Sequence, residues 1–411
     1  MGRDATGDGG FDPVDLPCHP RGYAEDLPVS GAWRPGDPKG DRRFVEMAVE
    51  RPFVLEGGDV LSHITMAYET WGELSPEADN AILVCHALTG DAHAFGESGP
   101  GQLAPGWWNG VIGPGCGLDT DRYFLVCVNV LGGCQGSTGP SSTDQSTGSP
   151  YGSSFPTVTV RDIVRCQVAV ANHLGIQRWH SVVGGSMGGM QVLEWGAMFP
   201  ERVRSLAPLT TTLAASAQQI AWSAVGRTAL VTDPHFRGGD YYDGKPGEGP
   251  QAGLAVARAV AQITYRSEEV FAARFGRDLV DPRHVYDLWD RFQVESYLDY
   301  HGEKLVRRFD ANSYLVLNRT MDLHDVSRGR GGRSNAVARI ATVPALTVSI
   351  SSDTLYPPYQ QVELREAIRT AGGRCDHHVI ESPDGHDGFL LATNEIGSHL
   401  GDFLGTLSDH G

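Results

Sequence analysis

The stretch SVVGGSMGGMQ, residues 181–191, places four glycines around Ser186. A short apolar run, RWHSVVGG, ends at the serine, and a helix-like run, MGGMQVLEWGAMFP, follows it. The five central residues, GGSMG, fit the pattern G-x-S-x-G, in which a serine occupies a tight turn between a strand and a helix. Small residues two positions before and after the serine let neighbouring backbone pass close to such a turn. We therefore predict a sharp strand-to-helix turn at Ser186. An ordinary glycine-rich turn with an idle serine is the alternative.

Short apolar runs alternate with amphipathic segments along most of the chain. NAILVCHA (80–87), YFLVCVNV (123–130) and VRSLAPLT (203–210) are typical of buried parallel strands. Thr159 and Asp162 have the spacing of a capping box, which predicts a helix that ends near a glycine at 175. This alternation predicts an α/β fold with a mostly parallel sheet and helices on both of its faces.

Three regions depart from that alternation. Residues 1–42 are rich in Gly, Pro and Asp and predict a flexible N-terminal extension. RFVEMAVE and VLSHITMAYETWG then predict two antiparallel strands joined by a turn at Gly57-Gly58-Asp59. Helical segments replace the alternation over residues 213–338, and VPALTVSISSD afterwards resumes it. We expect a core formed by residues 43–212 and 339–411, interrupted by a helical insertion that forms a lid.

The overall composition excludes several classes of protein. A formal net charge of −17 disfavours binding to nucleic-acid phosphates. No apolar run approaches the ~18 residues that a membrane span requires, and the N-terminus has no signal-peptide pattern. The seven cysteines are an odd number without a CxxC pair, which favours a reduced chain over a disulfide framework or a zinc site. These observations predict a cytoplasmic protein without a membrane or nucleic-acid partner.

A serine hydroxyl becomes a good nucleophile only when a base removes its proton. In the α/β-hydrolase fold the serine is followed along the chain by an acid and then by a histidine. Asp353 ends the strand ALTVSISSD, and His386 lies in ESPDGHDGF, after the last predicted strand. We therefore predict a catalytic triad of Ser186, Asp353 and His386. His377 and His378 lie within that last strand, where a structural role is the better interpretation.

The negative charge that develops on an attacked carbonyl needs two backbone N–H donors. Met187, directly after the serine, supplies one candidate, and Leu88 in the loop CHALTGDAH supplies the other. His86 and His93 flank Asp91 in this loop and could suggest a metal site. No third ligand with zinc-like spacing accompanies them, so we expect no metal.

Seven blocks of sequence resemble the homoserine O-acetyltransferase family of methionine biosynthesis. In chain order they are HALTGDAH, PGWWNGVIGPG, LDTDRYFLVCVNVLGGCQGSTGPSS, VVGGSMGGMQVLEW, DANSYLVLNRTMDLHDV, SSDTLYPP and GHDGFL. The resemblance extends from about residue 43 to the C-terminus. It implies acetyl-CoA as co-substrate, L-homoserine as acceptor, no bound cofactor, and a homodimer formed through the lid.

The resemblance also implies roles for individual residues. It implies the same three triad residues, with Arg227 for the homoserine carboxylate and Asp387 for its ammonium group. Leu355 stands where similar enzymes that use succinyl-CoA carry an arginine, which implies an acetyl donor. The residues alone leave open a succinyl donor, a serine esterase, an inactive binding module or another alcohol acceptor. Serine is one such acceptor, since it differs from homoserine by one methylene, worth only ~1–3 kcal/mol.

Overall fold

An eight-stranded sheet forms the centre of the computed structural model, which describes residues 26–48, 50–286 and 288–408. Its strands are β1 (Arg43–Met47), β2 (Ile64–Trp71), β3 (Ala81–Cys85), β4 (Phe124–Val128), β5 (Ser181–Gly185), β6 (Leu206–Leu209), β7 (Ala345–Ile350) and β8 (Cys375–Ile380). They lie in the spatial order β1-β2-β4-β3-β5-β6-β7-β8. β2 pairs antiparallel with β1 and β4, and all pairs from β4 to β8 are parallel. The prediction of a mostly parallel sheet is confirmed.

Helices cover both faces of this sheet and extend beyond its edge. They are α1 (Val160–His173), α2 (Met187–Met198), α3 (Ala217–Val231), α4 (Gln251–Tyr265), α5 (Glu268–Phe275), α6 (Gln293–Val306), α7 (Ala311–Asp322), α8 (Arg333–Ile340), α9 (Pro358–Thr370), α10 (Gly388–Leu391) and α11 (Thr393–Ser408). Short 3₁₀ turns span Gly152–Ser154, Pro200–Arg202, Pro234–Gly239, Pro282–His284 and Gly385–Asp387. Among the described residues, no helix combines the length and apolar character of a membrane span.

Two apolar clusters, one on each face, hold these layers together. Leu83 of β3 belongs to the cluster that also contains buried residues of α1, α2, α8 and α9. Ile82 and Val84 of the same strand belong to the second cluster, which α11 covers. Because successive strand residues point to opposite faces, a strand buried on both faces is apolar at every position. All five residues of β3 are buried, in agreement with its apolar sequence.

Local sequence signals account for several boundaries. The Thr159 side chain accepts a hydrogen bond from the Asp162 amide, and the Asp162 carboxylate accepts one from the Thr159 amide, 3.0 Å away. The predicted capping box is therefore confirmed at the start of α1. β1 and β2 pair antiparallel as predicted. The turn at Gly57–Asp59 instead joins a small ribbon of Phe53–Val54 and Val60–Leu61, so the connection from β1 to β2 is longer than predicted.

Two further short ribbons lie outside the central sheet. Thr143–Asp144 pairs antiparallel with Ser149–Pro150, and Ile112–Gly113 pairs parallel with Leu118–Asp119. Both lie in the connections that follow β3 and β4. They shape long loops without extending the sheet.

The insertion between β6 and β7 is helical, as the sequence predicts. α4 packs against α3 and α6, α3 packs against α7, and α4 also contacts the loop that carries His386. α8, which the predicted boundary at residue 338 divides, packs against α2 and α9. Its Ile340 is fully buried in the same cluster as those helices. We propose that the lid comprises α3 to α7 and that α8 belongs to the core.

The N-terminal segment requires a correction. The sequence predicts a flexible extension over residues 1–42, and the part before residue 26 lies outside the described residues. Residues 26–42, however, pack against the rest of the protein. Leu27 is fully buried, and the Ser30 hydroxyl donates to the buried Asp310 carboxylate at 2.7 Å. The prediction is wrong for this part, because its partners lie far away along the chain, in the insertion at Asp310 and in the core at Gln135.

We expect Leu27→Ala to lower the melting temperature of the protein. Replacing a buried leucine by alanine costs about 2–5 kcal/mol, because packing is lost and a cavity remains. Leu103→Ala is the control, since that side chain is 75% exposed. Thermal unfolding followed by circular dichroism measures both variants. Equal melting temperatures for the two would show that residues 26–42 do not contribute to stability.

Candidate active site

Ser186 occupies a strained turn between β5 and α2. Its backbone angles are φ 59° and ψ −124°, a left-handed conformation that costs a non-glycine residue about 1–3 kcal/mol. The Ser186 amide donates to the Leu209 carbonyl at 3.0 Å, and the Thr211 hydroxyl donates to the Ser186 carbonyl at 2.9 Å. Two hydrogen bonds from the end of β6 therefore hold the serine in this conformation. Such strain is often found at functional residues.

The glycines around Ser186 allow a close approach by β3. A Cβ atom added at Gly188 would lie 2.1 Å from the Cys85 carbonyl oxygen, and one added at Gly184 would lie 2.7 Å from the same oxygen. Neither distance is compatible with a side chain. The glycines are thus required where the backbones of β3 and the turn meet, as the sequence predicts.

Asp353 and His386 form a buried hydrogen-bonded pair beside this turn. His386 Nδ1 lies 2.7 Å from Asp353 Oδ2. Since an ionised carboxylate only accepts hydrogen bonds, Nδ1 carries the proton. The other oxygen, Oδ1, accepts hydrogen bonds from the amides of Leu355 and Tyr356 at 2.9 and 2.8 Å. The carboxylate thereby orients the ring and leaves Nε2 as the basic nitrogen.

Aromatic rings enclose the His386 imidazole. The ring centroids of Tyr356, Phe389 and Tyr265 lie 4.9, 5.4 and 5.9 Å from it. Tyr356 and Tyr265 line the same cleft as Ser186, and burial raises the pKa of Tyr356. His386 Nε2 is buried and has no hydrogen-bond partner among the described residues. This nitrogen is therefore available to take a proton from a hydroxyl group in the enclosure.

Both predicted oxyanion donors lie next to Ser186. Leu88 is buried and lines the same cleft as Ser186, and Met187 is the first residue of α2. Within the described part of the chain, neither amide donates to another backbone oxygen. The Met187 amide also lies at a helix N-terminus, where the helix dipole favours negative charge. Two backbone amides in this position can stabilise an oxyanion.

The histidines of the neighbouring loop have structural contacts. His86 Nδ1 donates to the Ala87 carbonyl at 2.8 Å, and Nε2 accepts from the Val130 amide at 3.1 Å. Burial lowers the pKa of His86, which matches this neutral form. His93 Nδ1 lies 2.8 Å from the buried Glu69 carboxylate. These rings hold the loop that contains Leu88 against the sheet.

His377 and His378 lie on β8, within the strand predicted for them. The Thr347 hydroxyl lies 2.9 Å from His377 Nδ1, and His378 stacks on His399 with ring centroids 4.1 Å apart. Both rings therefore contact structural neighbours on β7 and α11.

Ser186 opens into a cleft of about 590 Å³ that is open to solvent. Its wall is mostly apolar and includes Trp222, Val260 and Met321 from the lid. Leu355, the residue that the resemblance connects with the acyl donor, also lines this cleft. An acyl group on Ser186 would therefore be near Leu355.

Asp387 lines a second, larger cleft of about 1090 Å³, which is also open to solvent. Arg266 Nε lies 3.3 Å from its carboxylate, and Arg258 lines the same cleft. Burial raises the pKa of Asp387, while the positive charges of Arg266 and Arg258 oppose that shift. Asp387 follows His386 directly, so this cleft adjoins the catalytic loop.

Arg227 does not line the cleft that contains Asp387. Its Nη1 lies 2.6 Å from the Asp322 carboxylate and 2.6 Å from the Asn318 side-chain oxygen, and these two partners line the Ser186 cleft. Arg258, in α4, lines the cleft of Asp387, where Arg266 pairs with the Asp387 carboxylate. The sequence analysis missed Arg258. Its signal is a single charge within the otherwise apolar helical run GLAVARAVA.

Known proteins share both the fold and much of the sequence. A family model described as alpha/beta hydrolase fold matches residues 80–393. A homoserine O-acetyltransferase of Thermobifida fusca (strain YX) is 54% identical over 370 residues, which covers 90% of this chain and 95% of that protein. A homoserine O-acetyltransferase of Moorella thermoacetica is 49% identical over 350 residues, covering 85% and 92%.

Solved structures include both transferases and esterases. The homoserine O-acetyltransferase from Bacillus anthracis matches with a TM-score of 0.81 and 25% identity, covering 88% of this chain and 97% of that chain. Esterase E22 matches with a TM-score of 0.80 and 26% identity, covering 88% and 99%. The same backbone arrangement therefore occurs in proteins named for different reactions.

The strand order, the strained serine turn and the aspartate–histidine pair define an α/β hydrolase. Within this class, sequence identity near 50% to homoserine O-acetyltransferases over most of the chain shows the family. The chain belongs to the homoserine O-acetyltransferase family.

Proposed function

We propose that this protein transfers an acetyl group from acetyl-CoA to the hydroxyl of L-homoserine, as a step of methionine biosynthesis. The observation that carries the proposal is the buried Asp353–His386 pair, whose free nitrogen lies among tyrosine rings that also line the cleft of Ser186. The identity of 54% with the homoserine O-acetyltransferase of Thermobifida fusca supports these substrates.

The first half-reaction acylates Ser186. His386 Nε2 takes the proton from the Ser186 hydroxyl, and the oxygen attacks the acetyl-CoA thioester carbonyl. The amides of Leu88 and Met187 stabilise the negative charge on the carbonyl oxygen. The C–S bond then breaks, His386 returns the proton to the sulfur, and CoA leaves as a thiol. Asp353 stabilises the imidazolium that forms on His386 in between.

The second half-reaction transfers the acetyl group to the acceptor. We assign the ammonium group of homoserine to Asp387, as the resemblance implies. The carboxylate of homoserine goes to Arg258, since this residue lines the cleft of Asp387 whereas Arg227 pairs with Asp322. His386 removes the proton of the homoserine hydroxyl, whose oxygen attacks the carbonyl carbon of acetyl-Ser186. The ester bond to Ser186 then breaks, His386 returns the proton to the Ser186 oxygen, and O-acetylhomoserine leaves. A planar guanidinium suits a carboxylate because it can donate two parallel hydrogen bonds.

Leu355 supports an acetyl donor over a succinyl donor. It lines the cleft of Ser186, where the acyl group would lie, and it has no charge to pair with a succinyl carboxylate. An unpaired carboxylate in a largely apolar cleft is costly. The alternative activity is ester hydrolysis, which the match to esterase E22 favours. An esterase would pass the same acyl group from Ser186 to water.

The two activities differ in how thiol release depends on homoserine. With acetyl-CoA alone we expect a burst of about one thiol per active site, followed by slow release. Homoserine should restore rapid turnover and yield O-acetylhomoserine, because it resolves acetyl-Ser186. A thiol reagent and mass spectrometry measure both. Ser186→Ala should abolish the burst. Thiol release that is indifferent to homoserine, with acetate as the product, would identify an esterase.

The assignment of the acceptor carboxylate makes Arg258 and Arg227 a matched pair. Arg258→Ala should lower kcat/KM for homoserine by about tenfold or more, since a hydrogen bond to a charged group contributes about 1.5–3 kcal/mol. Arg227→Ala should have a smaller effect, and both variants should keep the acetylation burst. Steady-state and burst kinetics separate the two steps. A larger loss of kcat/KM in Arg227→Ala than in Arg258→Ala would indicate that Arg227 binds the homoserine carboxylate.

We also propose that the protein is a homodimer formed through the lid and that it is cytoplasmic. Helix α3 supports the dimer, because it exposes Trp222, Val225 and Val231 by 41%, 52% and 54%. A surface of this kind is typical of an interface. The cysteines described are free thiols, which suits a reducing compartment.

The double variant Val225→Glu, Val231→Glu tests the dimer. Two carboxylates on this exposed helix should repel a second copy and produce monomers, as measured by sedimentation equilibrium. Val54→Glu is the control, because Val54 is 51% exposed and lies on a ribbon outside the lid. A double variant that sediments as the wild type does would argue against α3 as the interface.

A further inference from the structure

The cleft next to Asp387 is lined mainly by positive charges, although the protein as a whole is negatively charged. The chain has a formal net charge of −17. The charged residues that line this cleft are nevertheless mainly positive: Arg42, Arg258, Arg266, Lys304 and Arg308, against Asp91 and Asp387. Clefts lined by one sign of charge concentrate ligands of the opposite sign. The cleft therefore favours an anionic ligand.

Two of these cations have structural roles. The guanidinium of Arg42 donates to the Gln135 side-chain oxygen at 3.0 Å and to the Gly101 carbonyl at 2.6 Å. Arg266 lies 3.3 Å from each of the carboxylates of Asp384 and Asp387. All three nitrogens of the Arg42 guanidinium donate to protein oxygens, and the charge of Arg266 is compensated by two carboxylates.

Arg258 lines the cleft beside Asp387, and we have assigned it to the carboxylate of homoserine. Its guanidinium carbon lies 5.2 Å from the centre of the Tyr265 ring, which places it next to the enclosure of His386. The single carboxylate of homoserine needs no more than this one arginine. The cleft thus contains more positive charge than the acceptor requires.

The positively charged side chains of this cleft that remain unassigned are Arg308 and Lys304. Arg308 Nη1 donates to the Thr89 carbonyl at 2.8 Å, and Lys304 Nζ lies 5.8 Å from the centre of the Tyr300 ring. Among the described residues, neither has a carboxylate within ion-pair distance. The local potential is positive: burial, followed by Arg258 and Lys304, lowers the pKa of His301 to about 3.

The Ser186 cleft offers no comparable site. None of the described residues that line it is a lysine or an arginine, and its one charged residue is the acid Asp322. Because Asp322 is paired with Arg227, the residues lining this cleft offer the phosphate groups of an acyl donor no cationic partner. The positive cleft instead begins at Thr89 and Gly90, just after Leu88 in the oxyanion loop. A donor lying in it can reach the reaction centre.

From this charge distribution we infer that Arg308 and Lys304 bind the phosphate groups of the coenzyme A part of the acyl donor. This binding takes place in the same cleft that admits the acceptor. The inference rests on the proposed function for the identity of the donor. A shared entrance is compatible with ping-pong transfer, because free CoA leaves before the acceptor binds. The thioester then points toward Ser186, with the acetyl group directed to the apolar cleft near Leu355.

Calorimetric titration with unacylated ligands tests this site without any chemical step. CoA and pantetheine, which lacks all the phosphates, are titrated into the full-length protein. CoA should bind at least tenfold more tightly than pantetheine, and added salt should reduce that difference. The double variant Arg308→Gln, Lys304→Gln should weaken CoA binding by about tenfold or more and leave pantetheine binding unchanged.

Arg307→Gln is the matched control. Arg307 is adjacent in the chain, but it is half exposed and pairs with Glu303 at 2.7 Å. It should bind CoA as the wild type does. Equal CoA affinity in the double variant and the wild type would overturn the inference, as would an equal loss for CoA and pantetheine. Failure of acetyl transfer to homoserine, with CoA binding as described, would instead count against the proposed function alone.

Discussion

The contact between the β3 carbonyl of Cys85 and the backbone at Gly188 is the constraint on which the site depends. It brings the end of one strand against the first turn of α2, at a distance that excludes any side chain. Ser186 must then turn with a positive φ. The amide of Met187 and the loop with Leu88 come together for the same reason, because one follows the turn and the other follows β3. Nucleophile and oxyanion donors are thus placed by one backbone contact.

The remaining catalytic groups reach this point because the parallel strands end at a common edge. Asp353 follows β7 and His386 follows β8, two neighbouring parallel strands. The pair is then fixed by local hydrogen bonds, since the amides of Leu355 and Tyr356 both donate to Asp353. Aromatic rings from the core and the lid enclose the imidazole. The sheet determines where the groups lie, and the lid determines what surrounds them.

This division explains which features could be predicted from the sequence. The fold and the Asp353–His386 pair follow from strand patterns, chain order and the glycine turn, all of which are local signals. The packed segment at Leu27 and the position of Arg258 could not be predicted in the same way. The Leu27 carbonyl accepts a hydrogen bond from the Gly247 amide of the insertion, and Arg258 lies beside Asp387 only because α4 contacts the loop of Asp387. Arg227 was assigned to the homoserine carboxylate only through the family resemblance. It pairs with Asp322 in the folded chain, and its role stays a prediction.

The choice between water and an amino acid as acceptor must then depend on the side chains of the two clefts, because an esterase shares the backbone over 88% of this chain. A transferase needs its acceptor held so that the effective concentration of the hydroxyl exceeds that of water, and oriented groups reach about 10⁵–10⁸ M. α4 contributes to both clefts: Ala257 and Val260 line the apolar one, while Arg258 and Gln262 line the charged one. One helix therefore separates an apolar space beside Ser186 from a polar space beside Asp387. Shifting this helix would change the position of the acyl group and of the acceptor together, which ties specificity to the packing of α4 against α3 and α6.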